Sequence, residues 1–283
     1  MSKISKIWLI IATSLIVVGA SFFIIAMSLV GWDFTKLNTV KFETTSYTID
    51  EEFKNISIET SIADIHFAIS DDGKCKVVCY EPENMKHTAE VKTDTLTINV
   101  NDNRKWYNHI GISMGSSKIT IYLPKKDYAS AINIETSTGD INVDELFVDS
   151  IDFNTSTGDI RISNVICIEN ISINVSTGDV KLNDVNCKRI ISDGSTGDVS
   201  MEDVIVDESI SVERSTGDIK LSDCDGNDIY IKTSTGDIKG SLLTNKVFIT
   251  KSSTGDIKVP NTSTGGRCEL STSTGDIKIT ISN

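Results

Sequence analysis

Short alternations of apolar and polar residues fill the second half of the chain. Ile160 and Ile162 bracket one polar residue, Ile171 and Ile173 bracket another, and Val165 stands between the pairs. A period of two, rich in β-branched residues, predicts strands with one buried face. The pattern returns at a fixed interval marked by an S-T-G-D corner. Its glycines are Gly139, Gly158, Gly178, Gly197, Gly217, Gly236, Gly255 and Gly275, spaced 19, 20, 19, 20, 19, 19 and 20 residues apart. Two residues after each glycine stands Ile or Val, from Ile141 to Ile277. Seven before it the column reads Ile132, Ile151, Ile171, Ile190, Ile210, Ile229, Phe248 and Cys268. Seven after it come Leu146, Val165, Val185, Val204 and Cys224, with Leu243 next.

A single short strand cannot bury its face, but stacked repeats make these columns continuous and close a core. The predicted fold is all-β: a parallel β-solenoid (β-helix) of about eight coils of 19–20 residues, each with three short strands and three corners. The S-T-G-D corner uses glycine for a bend that needs positive φ, with Ser, Thr and Asp to hold local backbone groups. A second corner carries Asp144–Glu145, Ser163–Asn164, Asn183–Asp184, Glu202–Asp203 and Ser222–Asp223. Thr262 to Gly266 write an S-T-G-G string half a period out of phase, read as a local loop change with a register shift or bulge beside Val247 and Ile249.

Upstream, Phe53 to Ile65 reads as a decayed coil, with S-I-A-D for S-T-G-D. Longer alternations at Cys75–Tyr80, Thr95–Val100 and Ser117–Leu123 predict an N-terminal β-cap with hairpin-like excursions. After Ile277–Ile281 only two residues remain, so the last strand is expected to be an uncapped edge open to end-to-end self-association.

Residues 7–32 carry no charge. As a helix these 26 residues reach about 39 Å, enough to cross a bilayer. The competing reading is a cleaved signal peptide, whose apolar core is usually about 7–15 residues. The expected organisation is a short tail over 1–6, a transmembrane anchor over 7–32, a linker and the start of the cap over 33–50, a β-cap with the degenerate coil over 51–130 and the solenoid over 131–283. Lys3 and Lys6 favour an inside N-terminus, although Lys36 and Lys41 weaken the bias. The solenoid is expected outside a single-pass cell-membrane anchor, with lipid as the helix's partner. A formal net charge of −13 argues against nucleic acid, whose phosphates require Lys and Arg.

Stacking aligns Asp140, Asp159, Asp179, Asp198, Asp218, Asp237, Asp256 and Asp276 in one row. Neighbouring unit charges about 4.8 Å apart repel by roughly 1 kcal/mol in water. Arg161, Lys181, Lys220, Lys239, Lys258 and Lys278 stand two residues further on and are expected to offset that repulsion. A calcium ladder on the same aspartates is the alternative, but one glycine per corner and an adjacent Lys resemble calcium-binding β-rolls poorly. Cys167 and Cys187 share a column and should stack near disulfide range, while Cys75, Cys79, Cys224 and Cys268 read as small apolar fillers. No C-x-x-C pair or His/Cys cluster at zinc spacing is visible. His66, His87 and His109 all lie outside the repeat, and no catalytic motif or cofactor signature appears. Trp106 and Tyr107 are expected in a protruding loop over 101–117.

The membrane-anchor pattern, the FKNISIETSIADI entry, the SSKITIYLPKK strand and the STGDI coils together resemble the bacterial "putative adhesin" β-strand repeat family, domain of unknown function 4097. The resemblance covers about residues 40–283 and implies no catalytic residues. It implies a non-enzymatic, membrane-anchored surface scaffold or adhesin-like binder with a protein or cell-envelope partner. An envelope-stress signalling accessory and a cytoplasm-facing polymerising scaffold are the alternatives.

Overall fold

A computed structural model describes residues 2–29, 31–33, 40–102, 115–124 and 129–282. The chain divides into two units, residues 1–42 with 104–115, and residues 43–103 with 116–283. In the first unit, helix α1 (Lys3–Leu29) contains one stretch, Ile4–Leu29, long and apolar enough to cross a membrane. Ser2 Oγ accepts the Ser5 amide at 3.1 Å, a serine cap at the helix start. Thr13 and Ser21 return their hydroxyls to the carbonyls four residues back, both at 2.8 Å, so neither needs water. The helix ends in a Schellman turn. Gly31 takes φ +69°, its amide reaches Ser28 O, and the Trp32 amide reaches Met27 O.

The second unit is almost entirely strand. Its first strands are β1 (Phe42–Ile49), β2 (Asn55–Ile62), β3 (Asp64–Ser70), β4 (Cys75–Pro82), β5 (Met85–Lys92), β6 (Thr95–Asp102), β7 (Lys118–Pro124) and β8 (Ala129–Thr138). Full coils follow in β9 (Ile141–Thr157), β10 (Ile160–Thr177), β11 (Val180–Thr196), β12 (Val199–Thr216) and β13 (Ile219–Thr235). The C-terminal coils are β14 (Ile238–Leu242), β15 (Lys246–Thr254), β16 (Ile257–Lys258), β17 (Gly266–Thr274) and β18 (Ile277–Ile281). From β8 to β13 each coil pairs in parallel with the next, in the register of the aligned columns: Ile141 with Ile160, Ile160 with Val180, Val180 with Val199. The parallel β-solenoid read from the periodicity is the observed fold.

The decayed coil is the first rung. β2 pairs with β8, and β3 pairs with β9 through Ile65 and Ile141. Beyond it lie β6 on β2 and β7 on β3, and then β5 and β4, which run antiparallel to β6 and β7. The cap therefore closes the stack by switching to antiparallel pairing, with β1 pairing with β4.

Both predicted corners have their physical cause in view. At the first, Gly178 has φ +150°, and a Cβ there would sit 2.0 Å from Gly158 O on the coil below. Glycine is thus required twice, for φ and for close approach. Ala63 is tolerated in the S-I-A-D string because it occupies the first rung and is not among the positive-φ residues. At the second corner, Glu145, Asn164, Asp184, Asp203 and Asp223 all adopt φ of +52° to +55°. Asn and Asp enter this left-handed region more readily than other non-glycine residues.

The apolar columns are buried, and a row of threonines (Thr136, Thr155, Thr233 and Thr272) is buried beside them, with the charged Arg214 in the same row. Arg214 points inward, donates to Ser192 O at 3.0 Å and to Ser192 Oγ at 2.9 Å, and lies against Gly194. Ser192 interrupts its apolar column, between Ile173 and Val212, to receive that guanidinium, whose pKa burial pushes down.

The last coils depart from the expected order. β17 pairs with β13 on one side and with β15 on the other, so the last coil lies between the sixth and the seventh. β18 likewise pairs with β14 and, through Ile277 and Lys278, with β16. Ile277 and Lys278 are therefore covered, while Ile279–Ile281 pair with no outer strand among the described residues; the rest of the outer edge belongs to β15 and β16, with Val247, Ile249 and Ile257 exposed. The S-T-G-G string is a crossover rather than a bulge. At Gly265, with φ +105°, a Cβ would lie 1.7 Å from Asn245 O, and at Gly266 one would lie 1.6 Å from Asn227 O. Two crossing backbones leave room for no side chain. The chain reaches the outer position after losing one residue at the second corner. Gly240 follows Leu221 in register, and Leu242, not Leu243, then pairs with Cys224 and fills the core. Nearly buried Lys246 anchors the detour by donating to Asp225 Oδ1 and Thr244 Oγ1, each at 2.6 Å.

Candidate functional site

The S-T-G-D corners form one continuous row. Asp64 begins it, followed by Asp140, Asp159, Asp179, Asp198, Asp218, Asp237, Asp276 and, last, Asp256. At each step the Oδ1 of one aspartate accepts the backbone amide of the next, at 2.7 to 3.0 Å. These amides, more than the cations, offset the repulsion along the row. A hydrogen bond to a charged group contributes about 1.5–3 kcal/mol, against roughly 1 kcal/mol of repulsion between neighbours. Solvent screens both, and the sign still favours the ladder. Cationic pairing is local: Arg161 bridges Asp159 at 2.7 Å and Asp140 at 3.6 Å, and Lys239 pairs with Asp237. The Lys239 hydrogen bond, and then the Asp276 amide, hold the Asp237 carboxyl below its usual range. The corner threonines align beside the ladder, Thr157 with Thr177 and Thr177 with Thr196, and face solvent. The result is a polar face with one repeat per strand spacing of about 4.8 Å.

All six cysteines are buried and none is in a disulfide. Cys167 donates to Asp149 O at 3.2 Å and Asn170 O at 3.3 Å, and Cys187 donates to Arg189 O at 3.5 Å. Burial pushes the Cys167 thiol up to about 11 and the Cys187 thiol up to about 12. Both are protonated fillers of the core. Trp106, Tyr107 and His109 lie outside the described residues.

The cap holds a cluster that motif reading missed. Cys79 and Glu81, two apart on β4, face the same way, and the turn at 83–84 brings His87 of β5 beside them. All three are fully buried, and their potential ligand atoms lie within 4.8 Å of one another. Glu81 Oε2 accepts both the His87 amide and the His87 Nδ1 side, each at 2.7 Å. Thr60 Oγ1 lies 2.8 Å from His87 Nε2, and the Tyr47 hydroxyl donates to His87 O at 2.6 Å. Desolvation, with the Glu81 charge added, raises the Cys79 thiol to about 12, so it is no nucleophile. The signal available in the sequence was C-x-E with a histidine six residues on. It matches no zinc spacing because the ligand-bearing strands pair with different neighbours.

Residues 53–169 and 167–283 each match the model of Toastrack DUF4097. The chain belongs to this family. The two matches together span every coil of this Toastrack protein and all of the cap except β1. Among solved structures, a "putative adhesin" from Bacteroides fragilis is 18% identical with a TM-score of 0.44, the alignment covering 85% of this chain and 97% of the other. A "putative lipid binding protein" from Parabacteroides distasonis is 17% identical with a TM-score of 0.48, covering 86% and 98%. No curated protein matches the chain at a significant level.

Proposed function

We propose that this protein is a non-enzymatic scaffold anchored in the cell membrane by α1. Its solenoid lies outside the cell and binds, adhesin-like, through the polar S-T-G-D face. The observation that carries this reading is the nine-rung ladder. Eight carboxylate–amide bonds hold a row of exposed corners in fixed register. A rigid periodic surface loses little entropy on binding a ligand that is itself periodic, such as a cell-envelope polymer. Membership of the Toastrack family supports the non-enzymatic reading. So does the full burial of the Cys79 cluster, which closes it to substrate.

Protease shaving of intact cells carrying a C-terminal tag tests the placement. Loss of the tag is expected. A tag that survives until the cells are broken, and is cleaved after breakage, would sink the surface reading. Attention would then pass to end-to-end association inside the cell through the β15 edge, where Val247 and Ile249 are exposed.

A further inference from the structure

The cap cluster has more polar chemistry than a buried corner requires. Glu81 is fully buried, yet its Oε1 has no hydrogen-bond partner among the described residues. A buried carboxylate oxygen left unpaired is costly unless something positive meets it. The Cys79 thiol, like that of Cys268, makes no hydrogen bond to a carbonyl among the described residues, whereas Cys167, Cys187 and Cys224 each do. His87 is held by its ring from two sides, with Glu81 at Nδ1 and the Thr60 hydroxyl at Nε2. A metal-bound histidine keeps its other ring nitrogen in a hydrogen bond that fixes the ring, and the Thr60 hydroxyl is placed to accept one from Nε2.

We propose that Cys79 Sγ, a Glu81 carboxylate oxygen and His87 Nδ1 bind a zinc ion, with Thr60 as the partner that orients the histidine. The donor set decides the metal. A thiolate with imidazole and one carboxylate suits zinc and does not suit calcium or magnesium. The charges balance as well. Zinc enters with two positive charges, and the Cys79 thiol gives up its proton as the thiolate binds. The loaded site, with one thiolate, one carboxylate and a neutral imidazole, is neutral and suits full burial. Its place in the fold gives it a purpose. β4 pairs with β7 and β5 pairs with β6, so the turn between β4 and β5 joins two differently paired strands, and a metal would clip that corner.

The test uses the full chain, purified in detergent and stripped of metal. Cobalt, as a spectroscopic stand-in for zinc, should bind at one ion per chain with a thiolate-to-cobalt charge-transfer band. Zinc should raise the melting temperature, since about 100-fold excess over its Kd raises the folded-to-unfolded ratio about 100-fold. Cys79→Ser should abolish the band, Cys167→Ser should leave it, and Thr60→Val should weaken binding by about 10–100-fold. A folded wild-type protein that takes up no cobalt overturns the proposal, as does a band that survives in Cys79→Ser. Should Cys79→Ser fail to fold, X-ray absorption of the zinc-loaded wild type decides. A ligand shell with one sulfur supports the site; a shell with none, or with two or more, overturns it.

Discussion

The coils from β9 to β13 and those from β14 to β18 carry the same corner, yet only the first set stacks in chain order. In both sets each corner glycine has strongly positive φ and each rung passes an amide to its neighbour's carboxylate. The corner therefore does not choose its neighbour, because any rung fits any other. Order is set by the connections. In the regular coils a full second corner with a left-handed residue delivers the chain one spacing further on. In the last coils the chain is one residue short at that corner, Lys246 fastens it two spacings out on Asp225, and Gly265–Gly266 bring it back into the gap.

The all-or-none test of that contrast is a cross-link. Lys239 faces Lys278 in register, so Lys239→Cys with Lys278→Cys should be joined by a short thiol-reactive linker. Lys239→Cys with Lys258→Cys should not. The opposite result would restore simple chain order. Next in size is Gly178→Ala, which places a Cβ 2.0 Å from a carbonyl oxygen at φ +150°. It should cost more than about 4 kcal/mol in denaturant unfolding, whereas Ala63→Gly should change stability by less than about 1 kcal/mol. A similar cost for both would show that the first rung is built like the others.

The ladder itself separates interior from end. Asp198 accepts the Asp218 amide, and Asp256 accepts no rung amide among the described residues. Asp198→Ala should lose about 1–3 kcal/mol and Asp256→Ala less than about 0.5 kcal/mol. Equal losses would move the stabilisation from the amides to the cations. Glu145→Asn, at φ +53°, should gain a few tenths of a kcal/mol, since asparagine enters the left-handed region more easily. The smallest effect is in acid. The folded pKa of Asp237 is depressed, so its contribution is present above the unfolded value of about 3.9 and is lost as pH falls through the folded one. Stability of Asp237→Asn should fall less steeply over that acid range, as measured by thermal unfolding at stepped pH.

Periodicity by itself determined the coil, its strands, the two turn corners and the row of aspartates. Columns 19 or 20 residues apart can all be buried only if the repeats stack. The uncharged N-terminal run likewise determined a helix, though its cap at Gly31 ends it at Leu29. Three things were decided only in the tertiary structure. The aspartates rest on amides because each backbone N–H is presented by the adjacent coil, which no single repeat contains. The last coil slips inside the seventh because interchangeable rungs leave the choice to crossing connections that demand paired glycines. Cys79, Glu81 and His87 meet because strand alternation and a turned corner bring them together, a spacing set by pairing with β6 and β7 rather than by the distance along the chain.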